Sequence, residues 1–122
     1  MKMKERVAIL GASDNPERYS YKAMQMLVEN GHEAILVSPR YKEIEGRSVY
    51  EDLTLLKGID TLTLYVNADI SNKMKDQILK LKPKRVIFNP GTENPALEKA
   101  LTDAGIAIEE ACTLVLLRTN QF

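Results

Sequence analysis

The residues best suited to chemistry follow the first apolar run, Val7-Ala8-Ile9-Leu10, in the segment Gly11-Ala12-Ser13-Asp14-Asn15-Pro16-Glu17-Arg18-Tyr19-Ser20-Tyr21. Gly11 allows a sharp turn that a side chain would obstruct, and Ala12 is small enough for a phosphate to approach the backbone. Unpaired N–H groups at the start of a following helix attract an anion by about 0.3–1 kcal/mol. Ser13, Arg18 and Ser20 add hydrogen-bond donors, and the guanidinium is the strongest of them. The pattern differs from the dinucleotide fingerprint G-x-G-x-x-G. Ser13 stands at the second glycine, the third is missing, and the loop is longer. An ordinary strand-to-helix turn would use several of the same residues, so this loop alone defines only a candidate.

The end of the second apolar run discriminates further. Ala34-Ile35-Leu36-Val37 leads into Ser38-Pro39-Arg40-Tyr41-Lys42. A site for NAD usually places a carboxylate here to hold the ribose 2′-hydroxyl. Arg40 and Lys42 would instead attract a phosphorylated ribose. That chemistry points to NADP, through its 2′-phosphate, or to coenzyme A, through its 3′-phosphate. Glu43 and Glu45 lie beyond the expected strand end.

These loops need a frame, and the hydropathy pattern supplies one. Strand-length apolar runs alternate with helical spacing: Ala23, Met24, Leu27 and Val28 share a helix face, as do Ile70, Met74, Ile78 and Leu81, and Leu97, Ala100, Leu101 and Ala104. Asn94-Pro95 combines a capping side chain with proline at the first helical position. The ambiguous run Cys112-Thr113-Leu114-Val115-Leu116-Leu117 is read as a short helix packing back on the sheet. Strands apolar on both faces imply a sheet covered on both sides. The expectation is a single doubly wound, mostly parallel α/β domain of five to six strands, with helices on both faces, spanning residues 1–122. Right-handed crossovers give the spatial order 48–50, 33–37, 6–10, 60–66, 84–88, 106–109. Winding reverses beside the first strand, where a ligand crevice opens at the carboxyl ends.

Composition narrows the class. The chain has 122 residues, 17 basic and 17 acidic side chains, and 44% hydrophobic residues, enough apolar material for one core. Zero net charge disfavours nucleic acid as a partner. No apolar run approaches the roughly 18–20 residues of a membrane span, and the first six residues lack the pattern of a signal peptide. The single cysteine excludes a disulfide framework and fits a reducing, cytoplasmic setting.

The strings Val7-Ala8-Ile9-Leu10-Gly11-Ala12-Ser13, Asn15-Pro16-Glu17-Arg18-Tyr19-Ser20-Tyr21-Lys22 and Ser38-Pro39-Arg40-Tyr41 resemble the stand-alone CoA-binding proteins of bacteria and archaea. So do Ile44-Glu45-Gly46, Phe88-Asn89-Pro90-Gly91-Thr92-Glu93-Asn94-Pro95 and Ala111-Cys112-Thr113-Leu114-Val115-Leu116, so that the resemblance spans essentially the whole chain. That family is similar to the CoA-binding domain of the succinyl-CoA synthetase α subunit. The resemblance implies a Rossmann-like domain that holds CoA, with no established reaction of its own. It places the diphosphate at Ala12, Ser13, Arg18 and the helix start Tyr19-Ser20-Tyr21, and the adenosine 3′-phosphate end between Pro39 and Arg40. Val66, Asn67 and Ala68 would line the adenine side, and Asn89-Pro90-Gly91 the pantetheine arm. Two departures stand out. Ser38 occupies a position where the family often has asparagine, and Asn67-Ala68 one where it often has Pro-Pro.

The remaining candidates have simpler readings. Cys112 reads as a small packing residue, with contact to a ligand thiol as the alternative. His32, just past the first helix and away from the crevice, reads as a surface residue. Glu109-Glu110 would point to opposite sides of a strand, and no second cysteine or histidine completes a zinc site. Residues 70–90 carry six basic side chains against Asp76, a net +5 that reads as a solvated face. The expectation is a non-enzymatic, cytoplasmic CoA or acyl-CoA binder, monomeric or homodimeric, acting as carrier, sensor or recruiter of a protein partner. An NADP-binding reductase, or the nucleotide-binding subunit of a split enzyme, is the alternative.

Overall fold

In the computed structural model, which describes residues 4–122, the first strand, β1 (Arg6–Leu10), shows how the two faces of the sheet are covered. Ala8 and Leu10 enter one apolar core while Val7 and Ile9 enter another, and none of the four is more than 2% exposed. Successive side chains of a strand point to opposite faces, so a run without polar alternation is stable only between two layers. Met1 to Met3, which open the segment read above for a leader, lie outside the described residues.

The layers follow from the helices. α1 (Tyr19–Glu29) and α5 (Thr113–Arg118) pack on the Val7 and Ile9 side through Met24, Leu27 and Leu117. α3 (Lys75–Leu81) and α4 (Pro95–Asp103) cover the Ala8 and Leu10 side through Ile78, Leu97 and Leu101. Asn94 starts α4 as its residue pattern predicts. Its side chain accepts from the Leu97 N–H at 3.1 Å, and Glu98 accepts from the Asn94 N–H at 3.1 Å.

The sheet runs β3-β4-β2-β1-β5-β6-β7, where β2 is Glu33–Val37, β3 Glu43–Ile44, β4 Arg47–Tyr50, β5 Thr61–Leu64, β6 Arg85–Phe88 and β7 Ala107–Glu110. The doubly wound α/β class and the predicted order of six strands hold, and every pairing among those six is parallel. The seventh strand corrects the expected count. β3 pairs antiparallel outside β4, so residues 48–50 are not the edge. Both residues of the connecting turn, Glu45 (φ 51°) and Gly46 (φ 75°), are left-handed, the geometry that closes a two-residue hairpin.

Three further differences have local causes. The expected single helix through Ile70 and Leu81 is broken at Met74 into α2 (Ala68–Lys73) and α3. The Ser71 hydroxyl donates to the Ala68 carbonyl, and the Asn94 amide donates to Ser71 Oγ at 2.8 Å. Such side-chain bonding competes with the helical ladder and bends it. His32 is buried rather than at the surface. Its Nδ1 accepts from the Glu5 N–H at 3.0 Å, and its ring lies 5.1 Å from that of Phe122. The chain's last residue covers it, a contact that local patterning does not reveal. Arg85 departs from the basic face to which it was assigned. Its side chain is only 17% exposed, and it binds Glu5 and Glu109 beneath the Phe122 ring. The lysines of that segment remain exposed.

Candidate functional site

A cleft of about 530 Å³ opens at the carboxyl ends of the strands, where the winding reverses. Its floor is the turn after β1. Gly11 has φ +96°, and a Cβ there would fall 2.9 Å from the Tyr65 carbonyl oxygen and 3.1 Å from Val66 Cγ1. Only glycine fits, because the loop after β5 passes directly over it. The Gly11 and Ala12 N–H groups both donate to the Val37 carbonyl, at 3.0 and 3.2 Å, which ties this turn to the end of β2.

The rest of the loop folds on itself. Ser13 Oγ accepts from the Asn15 N–H at 3.1 Å, and Asn15 Oδ1 accepts from the Glu17 N–H at 3.0 Å. These turns deliver Arg18 to the N-cap of α1, where its side chain makes no capping bond and the first turn carries no acidic residue. The helix start therefore presents uncapped N–H groups to the cleft, the ordinary arrangement for receiving an anion.

Arg40 enters from the loop after β2, whose shape is set by the Ser38 hydroxyl accepting from the Arg40 N–H at 3.1 Å. Arg18 and Arg40 both line the cleft, and no carboxylate does. Among the described residues neither guanidinium makes an ion pair. Two unneutralised guanidiniums facing one cavity suit a ligand carrying more than one anionic group.

The opposite wall comes from the loops after β5 and β6. Asn89, at the end of β6, is buried. Its amide donates to Thr63 Oγ1 at 2.7 Å and to the Leu64 carbonyl at 2.8 Å, and its Oδ1 accepts from the Thr113 N–H at 2.9 Å. The Asn89 carbonyl accepts from both the N–H and the hydroxyl of Thr92, at 2.9 and 2.7 Å. The Asn89 side chain thus joins β5, β6 and the start of α5, while its backbone carbonyl closes the turn that sets Pro90, Gly91 and Thr92 against the cleft.

Of the positions named from sequence, Gly11, Ala12, Ser13, Arg18, Tyr19, Ser20, Arg40, Val66, Pro90 and Gly91 meet at this cleft. Tyr21 does not. It lies on the buried face of α1, and its hydroxyl donates to Glu45 at 2.8 Å, a bond that holds its pKa above the ordinary tyrosine value. Helical rotation separates it from Tyr19, which is 67% exposed at the cleft mouth. Ser38 and Asn89 stand behind the wall and shape it, and Pro39 is exposed beside it. Asn67 caps α2 by accepting from the Ile70 N–H at 3.0 Å, and Ala68 follows it outside the lining. Cys112 is half-buried at the N-cap of α5, also outside the lining.

Sequence reasoning did not single out Asn15, Tyr41, Tyr65, Ile70 or Thr92, all of which line the cleft. Ile70 was assigned to a core-facing stripe but is 43% exposed. Tyr65 is largely buried beside Thr63 and Thr113, and burial pushes its hydroxyl's pKa up to about 12. The sequence pattern places it inside the strand 60–66, whereas the structure ends β5 at Leu64.

The fold and this cleft define a doubly wound α/β domain with two guanidiniums facing a cavity at its switch point. The sequence pattern of the CoA binding domain matches residues 5–118, and the chain belongs to that family. A crystal structure of an uncharacterized protein is similar over 99% of this chain and all of its own, with 41% identity and a TM-score of 0.95. A protein from Thermus thermophilus is 29% identical, with 98% of this chain and 91% of that one aligned and a TM-score of 0.87. The fold also resembles part of a dinucleotide-forming acetyl-coenzyme A synthetase from Ca. Korarchaeum cryptofilum, at 19% identity and a TM-score of 0.72. That likeness covers 88% of this chain and 25% of the synthetase. No helix among the described residues is long and apolar enough to cross a membrane.

Proposed function

We propose that the cleft binds coenzyme A or an acyl-CoA, and that the chain serves as a carrier, sensor or recruiting module in the cytoplasm rather than as an enzyme. The observation that carries this reading is the pair of unpaired guanidiniums, Arg18 and Arg40, in a cleft without a lining carboxylate. CoA carries a diphosphate and a separate 3′-phosphate. Ala12, Ser13, Arg18 and the start of α1 suit the first, and Arg40, flanked by Pro39, suits the second. Val66, with Asn67 and Ala68 behind it, would border the adenine. Pro90 and Gly91 would border the pantetheine arm, with Cys112 as the thiol nearest its end.

Family membership supports CoA over NADP, which the same two cations would also attract. A thermal-shift panel of CoA, acetyl-CoA, dephospho-CoA, NADP and NAD separates them. Ligand at 100 times its dissociation constant adds about 2.7 kcal/mol, on the order of 5–10 °C for a domain of this size. The expected ranking is CoA and acetyl-CoA above dephospho-CoA, with little shift from either dinucleotide. A shift with NADP and none with CoA would reverse the assignment.

A further inference from the structure

We infer that the cleft recognises CoA by its nucleotide half alone and leaves the sulfur end outside the protein, so that CoA and its thioesters bind alike. The inference rests on the CoA reading and specifies its ligand class. The lining of the cleft is uneven. On the loops after β1, β2 and β5, Arg18 and Arg40 are joined by Tyr41, Val66 and Ile70. Tyr41 packs against the core on the Val7 and Ile9 side, and Val66 against the opposite core. Ile70 is 43% exposed although it lines the wall, an apolar surface that a flat group such as a purine would take out of water.

The loop after β6, which the arm of the ligand would meet, is built differently. The Gly91 N–H donates to Glu93 at 2.9 Å. The N–H and the hydroxyl of Thr92 both donate to the Asn89 carbonyl. The Asn89 side chain is committed to Thr63, Leu64 and Thr113. These donors are engaged within the protein, so a carbonyl of the pantetheine arm would have to displace existing bonds and would gain little. Pro90 and Gly91 are exposed, so this side of the cleft opens to solvent instead of closing around a chain.

Two further cavities lie elsewhere. One, bounded by Lys4, Asp60 and Lys84, is at the amino ends of the strands, and another, bounded by Met24, Val28 and Glu45, lies between α1 and the β3–β4 hairpin. Phe88 and Leu97, which flank the β6 loop in sequence, are fully buried in one core, so the interior there is filled. An acyl chain in a closed apolar pocket would gain about fourfold in affinity for each buried methylene. A chain left in water gains nothing. The sulfur of the bound ligand then stays within reach of a second protein, as a carrier or recruiting module requires.

The test is calorimetric titration of the full chain with CoA, acetyl-CoA, octanoyl-CoA, 3′-phosphoadenosine 5′-diphosphate and 4′-phosphopantetheine. The first four should agree within about threefold, and 4′-phosphopantetheine should bind about a hundredfold more weakly or worse. In Cys112→Ser protein the ligand carries the only thiol, because the chain has a single cysteine. Iodoacetamide should then alkylate bound CoA at a rate within about twofold of that for free CoA. A spread of about tenfold or more between acetyl-CoA and octanoyl-CoA, or binding of CoA without binding of its nucleotide half, would overturn the inference. So would protection of bound CoA from alkylation by about tenfold or more. Failure of all five ligands to bind would overturn the CoA reading beneath it.

Discussion

The two ends of one sheet use charge differently. Toward the amino ends of the strands, ionic groups interlock. Arg85 reaches Glu5 at 3.5 Å and Glu109 at 3.2 Å and donates to Thr61 Oγ1, Arg6 meets Glu33 at 3.3 Å, and Lys84 meets Asp60 at 3.2 Å. At the carboxyl ends Arg18 and Arg40 have no carboxylate among the described residues. The same residue type thus does two jobs. A guanidinium between carboxylates and under an aromatic ring holds strands together. One left facing a cavity is available to a ligand.

The contrast predicts separable effects. The largest change in stability is expected at the floor of the cleft. Gly11→Ala imposes a left-handed backbone on a residue with a Cβ and drives that Cβ into the Tyr65 carbonyl, at a cost of about 2–3 kcal/mol. Chemical denaturation should show that loss, and ligand binding should weaken with it. A stable, fully binding Gly11→Ala protein would mean that the loop after β5 is free to move away.

Arg85→Ala comes next. Its side chain is 17% exposed and packs 4.5 Å from the Phe122 ring centroid, so loss of pairing and packing should cost about 1–2 kcal/mol. Ligand affinity should not change, because Arg85 lies at the other end of the sheet. A matching drop in affinity would break the division between the two ends.

The smallest effect is a pH dependence. Asp60 accepts from the Arg6 N–H at 2.8 Å, and this bond, aided by Lys84 and Arg6, holds its carboxyl below the usual range. A depressed folded pKa contributes stability above the unfolded value and loses it as pH falls through the folded one. The loss therefore belongs below about pH 4 and amounts to less than about 1 kcal/mol for a partly exposed group. Asp60→Asn should flatten the stability profile in that window and lower stability slightly at neutral pH. An unchanged acid limb would remove Asp60 from the account.

How far these regions can be read from sequence follows from the range of the interactions involved. Strands such as Val7-Ala8-Ile9-Leu10 announce themselves because burial on both faces removes polar alternation, and the six-strand order then follows from chain connectivity. β3 escapes notice because two residues carry no periodicity. Gly11, Arg18 and Arg40 are legible as loop residues at strand ends. Tyr65 and Ile70 are not, since helix and strand patterns assign them to packing. Asn89 is recognisable as a loop residue, but its three side-chain bonds bring together residues 24 to 26 positions away. His32 is hidden by a contact with Phe122 at the other end of the chain.

The most direct test of the central claim is calorimetric titration of Arg40→Ala with CoA and with dephospho-CoA. Arg40 makes no ion pair among the described residues and is exposed, so its removal should leave stability within about 0.5 kcal/mol of wild type. CoA affinity should fall about tenfold or more, the scale of one lost charge-assisted hydrogen bond, while dephospho-CoA affinity stays near its wild-type value. Equal losses for the two ligands, or no loss for CoA, would contradict the assignment of Arg40 to the 3′-phosphate.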